Sequence, residues 1–238
     1  MKTSILHGRW FFILILTAFL VSCSRLPVIK PVDPEALQDT IQQCRRPFLD
    51  IPYRFVHAIE VELSGRRTGT VVGVTVFEPA SATIHSVIMT IEGFVLFDAR
   101  YEKKVSVNRS VPPFNTEQFA GRMMEDVRLI FLAPDGRLSD AGVREDGSTV
   151  CRYYGNEDRI EDVVVHRDNT WEIETYSSNY ELLRQIRAFS VRDRIPAMVE
   201  LTGFGFREYS LRMKLISAEP VSPETHRSPP GETPEDEE

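Results

Sequence analysis

Apolar side chains recur at every second residue over most of this chain, and that period commits it to β-sheet. Between Phe55 and Leu63 the sequence sets Ile59, Val61 and Leu63 against Glu60 and Glu62, the pattern of a strand buried on one face. Thr68–Glu78 is rich in β-branched residues, and Ala82–Thr90, Gly93–Tyr101 and Lys104–Asn108 continue the series after the turn Ser64-Gly-Arg-Arg. Short polar turns leave no room for crossover helices, so these strands must form an antiparallel meander. A second series covers Thr149–Tyr154, Arg159–Arg167, Thr170–Ser177, Leu183–Val191, Ala197–Thr202 and Tyr209–Ile216. Pro196 falls at the start of its strand, where a missing amide is tolerated.

Two segments keep helical spacing instead. Leu37, Ile41 and Cys44 recur three or four residues apart behind Asp33 as N-cap and Pro34 at the first helical position, which predicts a short amphipathic helix. The stretch TEQFAGRMMEDVRLIFLA follows a cap at Asn115 or Thr116 and ends before Pro134-Asp-Gly. It carries Phe119, Met123, Met124, Val127, Ile130 and Phe131 on a broad apolar face. That face either packs as ordinary core or roofs a ligand cavity, for which pliable Met and flat Phe are suited. The strand residues expected to meet it are Val74, Val76, Ile88, Phe94, Leu96 and Trp171. The fold class is mostly β, with some helix. About eleven strands form a strongly curved antiparallel sheet, an unclosed β-barrel with an N-terminal helix and a central helical lid.

The N-terminus reads as an address. Lys2, His7 and Arg9 precede WFFILILTAFLV, residues 10–21, which carries no charge. As a helix these residues span about 18 Å, too short for a hydrocarbon core of about 30 Å, so a signal peptide over 1–22 is expected rather than an uncleaved anchor. Leu20-Val21-Ser22-Cys23 has the bacterial lipobox form, which makes Cys23 the lipidated first residue of the mature protein. Two or three acyl chains anchor stably, at roughly 0.8 kcal/mol per buried CH₂. An aspartate after the cysteine tends to retain lipoproteins in the inner membrane of diderm bacteria. Ser24 is not one, which predicts the outer membrane, facing the periplasm. Residues 23–34 are expected to be a Pro-punctuated flexible tether, 35–218 the folded domain, and 219–238 a disordered acidic Pro-rich tail.

Other functions find little support in the residues. A net charge of −7 argues against a nucleic-acid partner, which needs a basic face. There is no G-x-S-x-G, HExxH or Gly-rich phosphate loop. His57, His85 and His166 fall on different strands and His226 in the tail, which predicts no metal site. The acidic run 156–162 lacks the alternating oxygen ligands of a calcium loop, and Gly203-Phe-Gly205 is too short for a nucleotide fingerprint. Cys44 and Cys151 can pair in an oxidising compartment or stay as two buried thiols; nothing local decides. No catalytic set and no cofactor beyond the covalent lipid on Cys23 is expected. The partners expected are the membrane and an acyl-chain, lipid or lipoprotein ligand. The alternative is an assembly lipoprotein that works through surface contacts, its barrel filled by its own side chains.

The element order resembles the LolA/LolB superfamily of lipoprotein carriers, and most of all the LolB-like outer-membrane lipoproteins. Three stretches carry the likeness: Ile91-Glu-Gly-Phe-Val-Leu-Phe-Asp-Ala-Arg100, the helix from Phe114-Asn-Thr-Glu-Gln-Phe119 through Asp126 to Pro134, and the ending from Ile195-Pro-Ala-Met-Val-Glu-Leu-Thr202 to Leu215. The resemblance implies an unclosed barrel with a helical lid over a hydrophobic cavity, which in characterised members holds the acyl chains of a lipoprotein in transit. Carried onto this chain, the cavity would involve Phe119, Met123, Met124, Val127 and Phe131 of the lid with Phe94, Leu96 and Trp171 of the strands. The chain departs from the family at the apolar loop that LolB inserts into membranes. No stretch can be placed as that loop: the nearest candidates, Ser64-Gly-Arg-Arg-Thr-Gly69 and Glu78-Pro-Ala-Ser-Ala82, are polar or small.

Overall fold

The computed structural model describes residues 25–112, 114–155, 159–205 and 208–221. The signal segment, Cys23 and most of the acidic tail lie outside the described residues. The strands are β1 (Lys30–Pro31), β2 (Tyr53–Leu63), β3 (Arg66–Glu78), β4 (Thr83–Met89), β5 (Val95–Tyr101) and β6 (Val105–Ser110), then β7 (Arg137–Val143), β8 (Thr149–Tyr154), β9 (Ile160–Val165), β10 (Trp171–Tyr176), β11 (Leu182–Arg192), β12 (Ile195–Gly203) and β13 (Tyr209–Pro220). Helix α1 is Pro34–Arg45 and helix α2 is Glu117–Phe131. No helix among the described residues is long and apolar enough to cross a membrane.

All the strands join one sheet in the order β1-β7-β8-β9-β10-β11-β12-β13-β2-β3-β4-β5-β6. Two antiparallel meanders, β2–β6 and β7–β13, are fused where the last strand pairs with β2, from Tyr209↔Leu63 to Pro220↔Tyr53. The outer strands of the order, β1 and β6, do not pair with each other, so the barrel stays open. Register shifts at Val61/Glu62, Ile88/Met89, Asp98/Ala99 and Leu215/Ser217 supply the bends such curvature needs.

Each helix lies on the concave face. Thr116 caps α2 by accepting from the Phe119 amide at 3.2 Å, as its position before Glu117 predicts. Ala120 and Met124 of α2 pack with Phe55, Phe77, Ile84, Phe97 and Ala99 of the first meander. On α1, Cys44 packs with the second meander, among Cys151, Val163, Trp171, Ile173 and Ile186. A disulfide joins Cys44 to Cys151 across a Cα–Cα distance of 6.1 Å. Phe131, at the end of α2, touches both clusters.

The structure departs from the sequence reading in four places. Among the described residues the sheet has 13 strands, not about eleven: β7 was hidden because Arg137-Leu-Ser-Asp-Ala-Gly-Val carries few apolar residues, and β1 is only two residues long. Part of the expected flexible tether is therefore sheet, since Lys30 pairs with Val143 and Pro31 with Gly142. The folded unit runs past residue 218, because Glu219 and Pro220 still pair with Arg54 and Tyr53. Finally, Val74, Val76 and Leu96 lie on the face opposite the core. Their neighbours Thr75, Phe77 and Phe97 are the buried ones, because strands apolar on both faces leave register undecided by pattern.

Candidate functional site

Where the two core clusters meet, the concave face holds a small cleft. Strand β2 contributes Phe55 and His57, β3 Phe77, β10 Trp171 and β12 Pro196 and Val199; Ile130 and Phe131 close it from α2. Pro47, Leu49 and Arg194 form the rest of its wall. Arg194 is placed by the β11–β12 turn, where Asp193 and Arg194 adopt φ of 49° and 70°, as a two-residue hairpin turn requires. Its guanidinium donates to Asp50 Oδ2 at 2.7 Å and to the Arg46 carbonyl at 3.1 Å.

Aromatic rings pack the bottom of the cleft. The Phe131 ring lies 5.2 Å from Phe55 and 5.8 Å from Phe77, and His57 stands 5.8 Å from Phe55 and 6.2 Å from Phe131. Burial in these surroundings pulls the His57 pKa down to about 4, so the imidazole is neutral at neutral pH. The Trp171 Nε1–H is buried without a hydrogen-bond partner. The remaining cavity is about 30 Å³, room for a water or two and about a tenth of the smallest ordinary ligand pocket.

The lid helix has a second side that the apolar stripe did not reveal. Asp126 and Arg128 are each only 6% exposed. Asp126 accepts from Arg184 Nε on β11 and from the Tyr209 hydroxyl on β13, the latter at 2.6 Å. Arg128 donates to Glu161 on β9 at 2.6 Å and to Glu125 at 3.2 Å, and Arg159 also donates to Glu125. Burial raises the Asp126 pKa, with Arg184 and Tyr209 opposing it. Burial also pushes Glu125 upward, but Arg128, Arg159 and Arg184 hold it below the usual carboxylate range. Helix α2 is thus glued by rings to one meander and clamped by charge to the other.

A further polar row lies on the outer face. Register places Asp140, Arg152, Asp162, Glu174 and Gln185 side by side across β7–β11. Arg152 donates to both oxygens of the fully buried Asp162 at 2.7 Å, while Arg144 bridges Asp162 and Glu174. The tyrosine hydroxyl of Tyr176 completes the row by donating to Glu174 at 2.7 Å.

The residues proposed from sequence for a cavity disperse in the fold. Met124 is fully buried, while Met123 and Val127 pack half-buried beside it. Of the lid set only Phe131 lines the cleft, and of the strand set only Trp171 does. Phe119 is 39% exposed, edge-on to Phe114 at 5.3 Å. Phe94 is 52% exposed on the β4–β5 turn, with Arg109 stacked 5.2 Å above its ring; with Leu96 it leaves the predicted cavity. Alternation from the buried Phe97 sets Leu96 and Phe94 on the other side of the strand. His57 and Arg194 were not proposed as cleft residues, since a lone strand histidine and a turn arginine carry no pattern. Among the described residues no group of three or more His, Cys, Asp or Glu side chains is placed to hold a metal.

An open antiparallel barrel with a helix over its concave face defines a distinct class of fold. The LolA-type fold is the one this chain adopts. It superposes on a LolA superfamily protein from Nitrosomonas europaea with a TM-score of 0.52 at 12% identity, over 79% of this chain and 96% of that one. A domain from Vibrio parahaemolyticus named for outer membrane lipoprotein sorting superposes at a TM-score of 0.47 and 11% identity, over 80% of this chain and 94% of that one. No protein-family model matches the sequence, and no curated protein matches it significantly.

Proposed function

We propose that this chain is a non-enzymatic, lipid-anchored binding protein of the bacterial cell envelope. It holds an acyl chain or another hydrophobic ligand between α2 and the sheet, in lipoprotein or lipid trafficking. The observation that carries this reading is the aromatic cleft of Phe55, Phe77, Phe131 and Trp171 at the seam of two separate apolar clusters. The seam lies between the two clusters and is closed on one side by α2 alone, through Ile130 and Phe131. A neutral imidazole and an unbonded indole N–H at its floor suit a carbonyl or ester, not a free charge. The LolA-type fold agrees with this reading. Lipidation of Cys23 places the protein at the membrane, and Ser24 favours the outer one.

The cavity volume of about 30 Å³ favours a second reading, an assembly lipoprotein whose interior is filled by its own side chains. The two separate cleanly. The domain expressed without residues 1–23 should purify with fatty acid or phospholipid detectable by mass spectrometry, and should bind a fluorescent acyl probe. A domain that emerges empty and ignores the probe belongs to the second reading. Replacing Cys23 with Ala should abolish palmitate labelling and release the protein from membranes; persistent labelling would refute the anchor.

A further inference from the structure

The segment between the lipobox and α1 is not a free tether. Lys30 and Pro31 pair with β7, and the fit depends on Gly142, where an added Cβ would lie 2.1 Å from the Lys30 carbonyl oxygen. Upstream, the Pro27 carbonyl accepts from Arg152 Nη2 at 3.0 Å. Cys151 faces the interior, where it is bonded to Cys44 of α1, so its neighbour Arg152 faces outward. The chain therefore starts on the outer face of β8, passes round the sheet edge at β1, and enters the concave side as α1.

We infer that the side of the domain formed by β1, β7 and the Tyr154 end of β8, where the strap leaves it, is membrane-apposed, docked on the phospholipid headgroup layer. This rests on the reading of Cys23 as the lipidated residue. Only Ser24, Arg25 and Leu26 separate that cysteine from Pro27, a reach of about 14 Å when fully extended. A domain of this size has a radius of gyration of about 16 Å, so the strap is too short to let it drift or turn over. The face at its root carries Tyr154, 40% exposed and on the same side as Arg152, and Val28, 71% exposed. Tyrosine favours the headgroup level of a bilayer. Arg25 and Lys30 are exposed beside it and Asp140 lies in the same row; the short reach of the chain, more than charge, holds this face down.

The test uses the full lipidated chain in vesicles of phosphatidylethanolamine and phosphatidylglycerol carrying a headgroup-labelled energy acceptor. A donor dye is placed on Tyr154→Cys, or on Lys214→Cys at the outer face of β13, five strands away in the sheet. The native Cys44 and Cys151 are tied up with each other. The Tyr154→Cys donor should lose most of its emission and the Lys214→Cys donor little. A Gly/Ser insert of about ten residues between Ser24 and Arg25 adds roughly 17 Å of root-mean-square reach and should erase the difference without touching the fold. Equal transfer at both sites in protein that floats with the vesicles overturns the orientation, as does an insert that changes nothing. Protein that neither floats nor incorporates palmitate overturns the anchor reading, and this inference with it.

Discussion

Met124 and Phe94 stand at opposite ends of what a single apolar side chain contributes here. Met124 is fully enclosed among the rings of the first meander, so Met124→Ala should cost about 2–5 kcal/mol. Phe94→Ala, at a site 52% exposed, should change stability by about 0.5 kcal/mol or less. Denaturant midpoints of the two variants check the pair. His57 makes a different prediction, on pH. Its pKa falls from 6.5 to about 4 in the folded chain because burial disfavours the imidazolium. Above pH 6.5 both states are neutral at this site and the fold keeps its full stability. As pH falls from there to about 4 the unfolded chain takes up a proton that the folded one refuses. The loss amounts to roughly 3 kcal/mol. His57→Phe should flatten the pH profile of unfolding across that window; an unchanged slope would remove His57 as its source.

At the scale of elements, α2 decides how the two meanders communicate. Its apolar stripe was legible from spacing alone, and so was its cap at Thr116. Its charged side was not, because Glu125, Asp126 and Arg128 look like an ordinary solvated face until β9, β11 and β13 are brought over them. Arg184→Met leaves Asp126 buried without its cation and should cost about 3–5 kcal/mol, whereas the double variant Asp126→Leu with Arg184→Met should cost much less. Thermal unfolding of the single and double variants gives the coupling. Phe131, the last residue of α2, acts on the cleft itself. Phe131→Ala should destabilise by roughly 2–3 kcal/mol, short of a fully buried ring because it is only partly buried. It should also tighten binding of a fluorescent acyl probe if the cleft is a ligand site.

Over the whole molecule, the sheet is held by contacts far apart in sequence. β13 closes onto β2, and Cys44 reaches Cys151 across a separation of 107 residues. Restricting so long a loop in the unfolded chain stabilises the fold, so the paired Cys44→Ala and Cys151→Ala variant should lose about 3 kcal/mol. Comparing wild-type unfolding with and without reductant checks the same quantity independently. A wild type indifferent to reductant would show that the sheet, and not the cross-link, sets stability.

By itself the sequence determined the class. Period-two alternation and short polar turns permit only antiparallel sheet, while helical spacing after Asp33 and Thr116 calls for the two helices seen among the described residues; these are local properties that each segment carries alone. The lipobox-like run Leu20-Val21-Ser22-Cys23, on which the proposed anchor rests, is a contiguous pattern of the same local kind. The tertiary structure decided which face of β3 and β5 is inside, because Val74 and Phe77, or Leu96 and Phe97, are equally apolar and only pairing with neighbouring strands and packing against α2 choose between them. It also decided that a proline-rich tether becomes an edge strand, since β1 exists only where β7 offers an unpaired edge and Gly142 offers space. The cleft was decided last of all: His57, Trp171, Phe131 and Arg194 share no spacing, and only the fusion of β13 to β2 and the clamp on α2 bring them to one place.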